Sequence, residues 1–144
     1  MSHPIYTCFW YDRNANEAAR FYCSIFENSK IISENPIMVV FDINGYRIMG
    51  LNGGPRYKFN ESISLVISCD TQKEIDYYWD ALSKDGVENM CGWLKDKYGL
   101  SWQIVPTLLG KWMSNPAFGG KITEAFLKMK KFDLNALERI ANNG

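Results

Sequence analysis

Apolar positions along this chain fall into two successive, similar patterns, each a strand, an amphipathic helix and further strands. A third stretch of short helical periodicity follows. The run Ile5–Tyr11 is β-branched and aromatic and predicts a strand. Asn14 then stands as a helix N-cap with Glu17 three residues on, the spacing of a capping box. The helix it opens carries Ala18, Phe21, Tyr22, Ile25 and Phe26 on one face, apolar at i, i+3, i+4, i+7 and i+8. Strands are predicted at Lys30–Ser33 and Met38–Ile43. Asn44–Gly45, a strong hairpin signal, leads into Tyr46–Leu51, and Gly53–Gly54–Pro55 breaks the pattern.

The second pattern repeats the plan. Ile63–Cys69 predicts a strand, Thr71 with Glu74 forms another capping box, and Ile75, Tyr78, Trp79 and Leu82 share a helix face. A shift of 57 residues lays Asn14 on Thr71, Ala18 on Ile75, Tyr22 on Trp79 and Ile25 on Leu82. Gly92–Lys97, a Tyr98–Gly99 turn and Leu100–Val105 then form a hairpin like the one around Asn44–Gly45. Cap, helix face, preceding strand and following hairpin agree in order, which marks an internal repeat. One helix per half with strands running on as hairpins implies an antiparallel or mixed sheet with helices on one face. The other face would curve into a cup, the default pocket of such small sheets. Beyond Pro106, Leu108–Ser114, Lys121–Met129 and Asp133–Ile140 read as short helices. Their apolar residues, Ile122 to Ile140, need a partner, either the chain's own sheet or a second subunit.

At 144 residues the chain has the usual size of one domain and needs no staple to bury a core. Its 16 basic and 16 acidic residues cancel, leaving no basic stripe for nucleic acid or an anionic membrane. The run Lys128–Met129–Lys130–Lys131 reads as a solvated helix face. No apolar stretch reaches the ~20 residues of a membrane span, and Met1–Ser2–His3–Pro4 has no signal-peptide character. Cys8, Cys23, Cys69 and Cys91 show no metal-type spacing, and three of them sit inside predicted strands or helices. A reducing, cytoplasmic compartment follows from that usage.

Specific runs resemble a known group. Trp10–Tyr11–Asp12, Asn14–Ala15–Asn16–Glu17–Ala18–Ala19 and Phe21–Tyr22 resemble the opening of proteins in the vicinal-oxygen-chelate (glyoxalase/bleomycin-resistance) superfamily. Leu51–Asn52–Gly53–Gly54–Pro55, Lys58–Phe59–Asn60–Glu61 and the stretch from Cys91 through Lys97 to Pro106 resemble its PhnB-like branch, whose legacy name is 3-demethylubiquinone-9 3-methyltransferase. The likeness extends to Met129–Lys130–Lys131 in the tail. It implies an α+β fold of paired βαβββ modules forming a cupped mixed sheet, usually in a homodimer. Here that means module one at residues 4–55, module two at 60–106 and a helical extension at 107–144, within a single domain. The resemblance implies no single reaction, since its members include metal-dependent enzymes and sequestering proteins without chemistry. The methyltransferase name finds no support in a glycine-rich strand-to-helix turn, because Gly53–Gly54–Pro55 leads into a loop.

Metal-using relatives place His or Glu on the first and last strands of each module. Carried onto this chain, those places fall near Ile5, near Met49, at Ile63 or Ser64, and at Gln103, and none is His, Asp or Glu. An amide such as Gln103 is a far weaker ligand for a divalent metal than a carboxylate. The one histidine, His3, lies in the N-terminal tail and cannot build a three-ligand site. No metal and no cofactor are therefore expected, and the sequence names no catalytic residue. Asp12 and Asp96 fall at turns, where Asp bonds its own backbone. Strict alternation from Ile5 would turn Thr7 and Phe9 toward the cup and Tyr6, Cys8 and Trp10 toward the helix. With Met49, Leu51, Trp93 and Gln103 they form the expected ligand-binding lining, apolar and aromatic with a few hydrogen-bonding groups. Three readings stay open: a metal-independent, dimeric small-molecule-binding protein, an enzyme acting on a small polar substrate, and an assembly protein with a closed cup.

Overall fold

In the computed structural model, which describes residues 3–143, each half of the sequence forms a βαβββ module and the tail forms three helices. Met1 and Ser2, the head of the opening judged above for signal-peptide character, lie outside the described residues, as does Gly144. The chain divides into two compact units, Met1–Phe59 and Asn60–Gly144.

The first unit holds β1 (Thr7–Tyr11), α1 (Ala15–Ile25), β2 (Lys30–Glu34), β3 (Met38–Ile43) and β4 (Tyr46–Asn52). Its sheet runs β1-β4-β3-β2, with β1 parallel to β4 and the other pairs antiparallel. Ile43 faces Tyr46 across a two-residue loop in which Asn44 and Gly45 both have positive φ, 48° and 81°. That is the geometry the Asn–Gly pair favours, because its twist matches the strands' own. Ala15, Ala18, Ala19, Tyr22 and Ile25 of α1 are buried, as are Phe9, Tyr11, Val39, Phe41, Ile43 and Ile48 of the sheet. The helix starts where the sequence places it, but its cap comes from elsewhere. The Asn14 side chain makes no capping bond, and the Ala15 N–H donates instead to Asn52 Oδ1 at 2.9 Å. Asn52 also donates to Asn16 Oδ1 and to the Pro36 carbonyl, tying the end of β4 to the start of α1.

After β4 the chain returns along β1. The N–H groups of Gly53 and Gly54 donate to the Tyr11 carbonyl, and the Trp10 indole donates to the Gly54 carbonyl at 2.9 Å. Tyr57 stands edge-on to Trp10, while Phe59 meets Phe9 and Tyr11. Trp10 points to one side of the sheet and Phe9 and Tyr11 to the other, so the segment straddles β1. It thereby covers an edge strand that would otherwise offer its backbone for pairing. Gly53 is tight against the indole, since a Cβ there would lie 2.2 Å from the Trp10 ring.

The second unit holds β5 (Ser64–Cys69), α2 (Gln72–Ser83), β6 (Val87–Glu88), β7 (Trp93–Lys95) and β8 (Ser101–Pro106). Its sheet runs β5-β8-β7-β6, the same order with the same parallel first-to-last pair. Here the local cap forms as read: Thr71 Oγ1 accepts the Glu74 N–H at 3.2 Å. Asp96 is buried at the β7–β8 turn, where its carboxylate accepts the N–H groups of Tyr98 and Leu100 and the Trp102 indole. β6 was not anticipated, because two residues carry no readable alternation.

Three helices complete this unit: α3 (Leu109–Met113), α4 (Gly119–Phe126) and α5 (Leu134–Asn143). The tail docks in cis. Cys91 and Gly92 donate backbone N–H groups to the Met129 and Lys130 carbonyls. Gln72 on α2 accepts from the Leu134 N–H at 2.7 Å and donates to the Phe132 carbonyl at 3.0 Å. Phe132 lies over Gly92, whose φ of 79° and whose missing Cβ, 2.5 Å from that ring, leave room only for glycine.

The repeat carries one insertion. Three residues, Asp12–Asn14, join β1 to α1, against two, Asp70–Thr71, between β5 and α2. The helices superimpose at the 57-residue shift, but the strands superimpose at 58, with Tyr11 on Cys69. The extra residue is taken up at Arg13, whose φ is 64°. One residue inverts a strand's faces, and the face expected from alternation is the one that inverts. β1 begins at Thr7, Ile5 before it is fully exposed, and Phe9 (5% exposed) belongs to the core beside Tyr11. Tyr6, Cys8 and Trp10 point away from the helix.

Candidate functional site

Each sheet has one face covered by its helix and one that is not. In the first unit register places Cys8, Met49 and Val40 side by side on the uncovered face, with Trp10, Leu51 and Met38 in the next row and Asp42 beside Arg47 at the far end. Met49 and Leu51 therefore lie on the face the sequence suggested. Thr7 and Phe9 do not: Phe9 is in the core, and Thr7, on the same side, hydrogen-bonds the Tyr46 hydroxyl at 2.5 Å. Asp42 and Arg47 close one end as a bidentate pair, 2.6 and 3.2 Å. The Arg47 hydrogen bond holds the Asp42 carboxyl below the usual range. Burial pushes the Cys8 thiol up, which keeps it protonated and a poor nucleophile near neutral pH.

In the second unit the uncovered face is polar. β5 contributes Ser64, Val66 and Ser68, β8 contributes Ser101, Gln103 and Val105, and β7 contributes Trp93 and Lys95. Register aligns Ser64, Ser101 and Lys95 in one row and Val66, Gln103 and Trp93 in the next. Gln103 Nε2 donates to Ser64 Oγ at 2.9 Å. Lys95 pairs with Glu61 in the turn before β5, and its hydrogen bond lowers the Glu61 pKa. Ser101, 1% exposed, is the exception: its hydroxyl is buried without a hydrogen-bond partner. Such a group costs about 1–3 kcal/mol. Val66, by contrast, is 58% exposed.

Trp93 and Gln103 thus lie together as read. Ser101, Lys95 and Glu61 were missed. Alternation leads back from Gln103 to Ser101 and forward from Trp93 to Lys95, so that signal was present. The helix-facing side of this sheet is inert by comparison: burial first, then the charges of Glu74 and Asp70, push the Cys69 thiol up to about 12.

The places where relatives hold a metal do not suit one here. Ile5 and Ile63 lie outside the strands and are exposed, and Met49, Ser64 and Gln103 offer a thioether, a hydroxyl and an amide. Among the described residues no group of three or more His, Cys, Asp or Glu is placed to hold a metal ion. His3 is exposed. A groove of about 400 Å³ lies elsewhere in the second unit, lined by Lys121, Ala136, Arg139, Ile140 and Asn143 of α4 and α5. Among the described residues no helix is long and apolar enough to cross a membrane.

Comparison with known proteins agrees with this architecture. The family model described as 3-demethylubiquinone-9 3-methyltransferase matches residues 3–105, stopping before the helical tail and so before Met129–Lys130–Lys131. A putative 3-demethylubiquinone-9 3-methyltransferase, a PhnB protein from Bacillus cereus, is 30% identical over 72% of this chain and 99% of its own, with a TM-score of 0.63. A protein from Pseudomonas aeruginosa shares the fold at 17% identity, over 73% of this chain and 98% of its own, with a TM-score of 0.58. So does the fosfomycin resistance protein FosX from Listeria monocytogenes, solved with Mn(II) and sulfate: 14% identity, 78% and 96% coverage, TM-score 0.58. No curated protein matches the chain.

Proposed function

The chain belongs to the PhnB-like 3-demethylubiquinone-9 3-methyltransferase family of the vicinal-oxygen-chelate superfamily, and from that premise we propose that it binds a small molecule on the uncovered faces of its sheets without a divalent metal. The supporting observation is the donor set. Where metal-using relatives hold a cation, this chain offers Met49, Ser64 and Gln103, groups suited to hydrogen bonding and apolar contact rather than to a hard cation. Met49 and Leu51 in the first module, and Trp93 and Gln103 in the second, are the ligand-facing residues of this reading.

Two further parts of the proposal are the homodimer and the compartment. Four cysteines without a disulfide suit a reducing, cytoplasmic setting. Elemental analysis of the purified protein, paired with NMR screening of charged and neutral fragments, tests the main reading. A stoichiometric divalent metal, lost together with fragment binding on chelation, would sink it. Sedimentation that shows a monomer at micromolar concentration would remove the dimer alone.

A further inference from the structure

We infer, resting on the small-molecule reading of this face, that the second sheet carries an oxyanion site built from Ser64, Lys95, Ser101 and Gln103, whose Lys95 the chain's own Glu61 carboxylate holds until a carboxylate- or phosphate-bearing ligand displaces it.

The inventory of donors points this way. Ser64 Oγ already accepts from Gln103, so its own proton is directed elsewhere. Gln103 keeps a second amide proton, and Lys95 carries three. Ser101 adds a hydroxyl that is buried and unpartnered, between Ser64 and Lys95 in the same row. Four groups with unspent donors on adjacent strands call for an acceptor, and the ammonium among them selects a negative one.

The carboxylate that engages this cluster is Glu61, and its attachment suits a displaceable occupant. It sits in the turn Asn60–Ser62 rather than on a strand, its side chain is 56% exposed, and it engages Lys95 alone among the four. A ligand oxyanion could take over Lys95 and also satisfy Ser101 and Gln103, which Glu61 leaves unserved.

The test is a ¹H–¹⁵N NMR titration of the full chain with sodium phosphate and, separately, sodium acetate, at constant ionic strength with chloride as the balance. Saturable shifts of the Gln103 side-chain amide and of the Lys95 and Ser101 backbone amides are expected. Ser101→Ala and Lys95→Met should each weaken binding about tenfold, and Glu61→Gln should tighten it about fivefold by removing the competitor. Whichever anion saturates at lower concentration names the ligand's headgroup class. Shifts no larger than those of chloride, or Glu61→Gln without tightening, would overturn the inference. If neutral fragments such as indole or acetamide then move the same resonances, the small-molecule reading survives and only the oxyanion is lost. If they move nothing, both fall.

Discussion

The two modules share strand order, parallel pairing and helix placement, yet they finish their uncovered faces in different ways. Module one closes one end of its face with a bidentate Asp42–Arg47 pair, and its edge with the strap from Gly53 to Phe59. Module two keeps a hydroxyl without a partner and an exposed Val66, and spends its extra chain on the helix side, where the tail docks. One duplicated plan thus gives one self-satisfied sheet and one with unspent hydrogen-bonding capacity. The place where a repeat stops satisfying itself is where a ligand is worth seeking.

The insertion at Arg13 is the sharpest difference between the halves, and it separates a tolerated deletion from the one with the largest expected effect. Deleting Arg13 gives the first β–α connection the length of the second, in which Cys69, the counterpart of Tyr11, is buried, so Phe9 and Tyr11 should stay in the core at a cost below about 1 kcal/mol. Deleting Trp10, inside β1, turns Phe9 to the uncovered face and removes the indole that holds Gly54, at about 4 kcal/mol. Urea unfolding of the two variants measures both, and an Arg13 deletion as costly as that of Trp10 would mean that the turn does not absorb the extra residue.

Gly92→Ala strikes the second module where it holds the tail. A Cβ at φ 79° would meet the Phe132 ring and, at 2.6 Å, the Ile104 carbonyl. A cost of about 3 kcal/mol is expected from strain and overpacking together. Hydrogen exchange should show the loss in α5 and β8 and leave β1–β4 protected as before. The structurally similar turn at Gly45 has open space around its missing Cβ, so Gly45→Ala should cost only the backbone strain.

The caps separate the halves on a smaller scale. Asn52→Ala should destabilise by about 1.5 kcal/mol, because it frees the Ala15 N–H and uncouples β4 from α1. Thr71→Ala should cost about 1 kcal/mol. Asn14→Ala should cost only a few tenths, since that side chain caps nothing. Thermal melts of the three variants rank them, and a cost at Asn14 as large as at Asn52 would restore the local cap.

These rankings show what the sequence could and could not say. Element types were legible because each period is local: β3 falls at Met38–Ile43 as read, and α1 and α2 bury the faces their spacing marks. The Asn14 cap was misread because a local preference competed with a tertiary one, and nothing in the pattern announces that Asn52, 37 residues on from Ala15, reaches the helix start. The face of β1 was misread because alternation fixes which residues travel together but not which set goes inside. Only Tyr11 meeting Tyr22, hydroxyl to hydroxyl at 3.2 Å, settles that phase. Met49, Leu51, Trp93 and Gln103 fall by register on the sheet faces turned away from the helices, whereas Ser101 was overlooked because a serine stands out only once it is known to be buried.

The smallest expected difference is a pH window confined to the tail's anchor. Asp76 on α2 is held below the usual carboxyl range, first by the Gln72 hydrogen bond and then by Lys131, which lies 2.9 Å away. Its contribution is present above the unfolded carboxyl pKa of about 4 and is lost as pH falls through the depressed folded value. The same pair raises Lys131, whose contribution is full below about 10.4 and is lost as pH rises through the raised folded value. The pair therefore stabilises the docked tail across neutral pH and weakens at both ends. Both side chains are more than a third exposed, so screening limits the effect to less than about 1 kcal/mol. Lys131→Met should lower exchange protection at Leu134 relative to wild type at pH 7, and the difference should vanish near pH 2 and shrink in 1 M salt. Module one has no tail to release, so protection in β3 and β4 should not distinguish the two proteins at any of these conditions. A difference there would show that the charge pair acts beyond its own module.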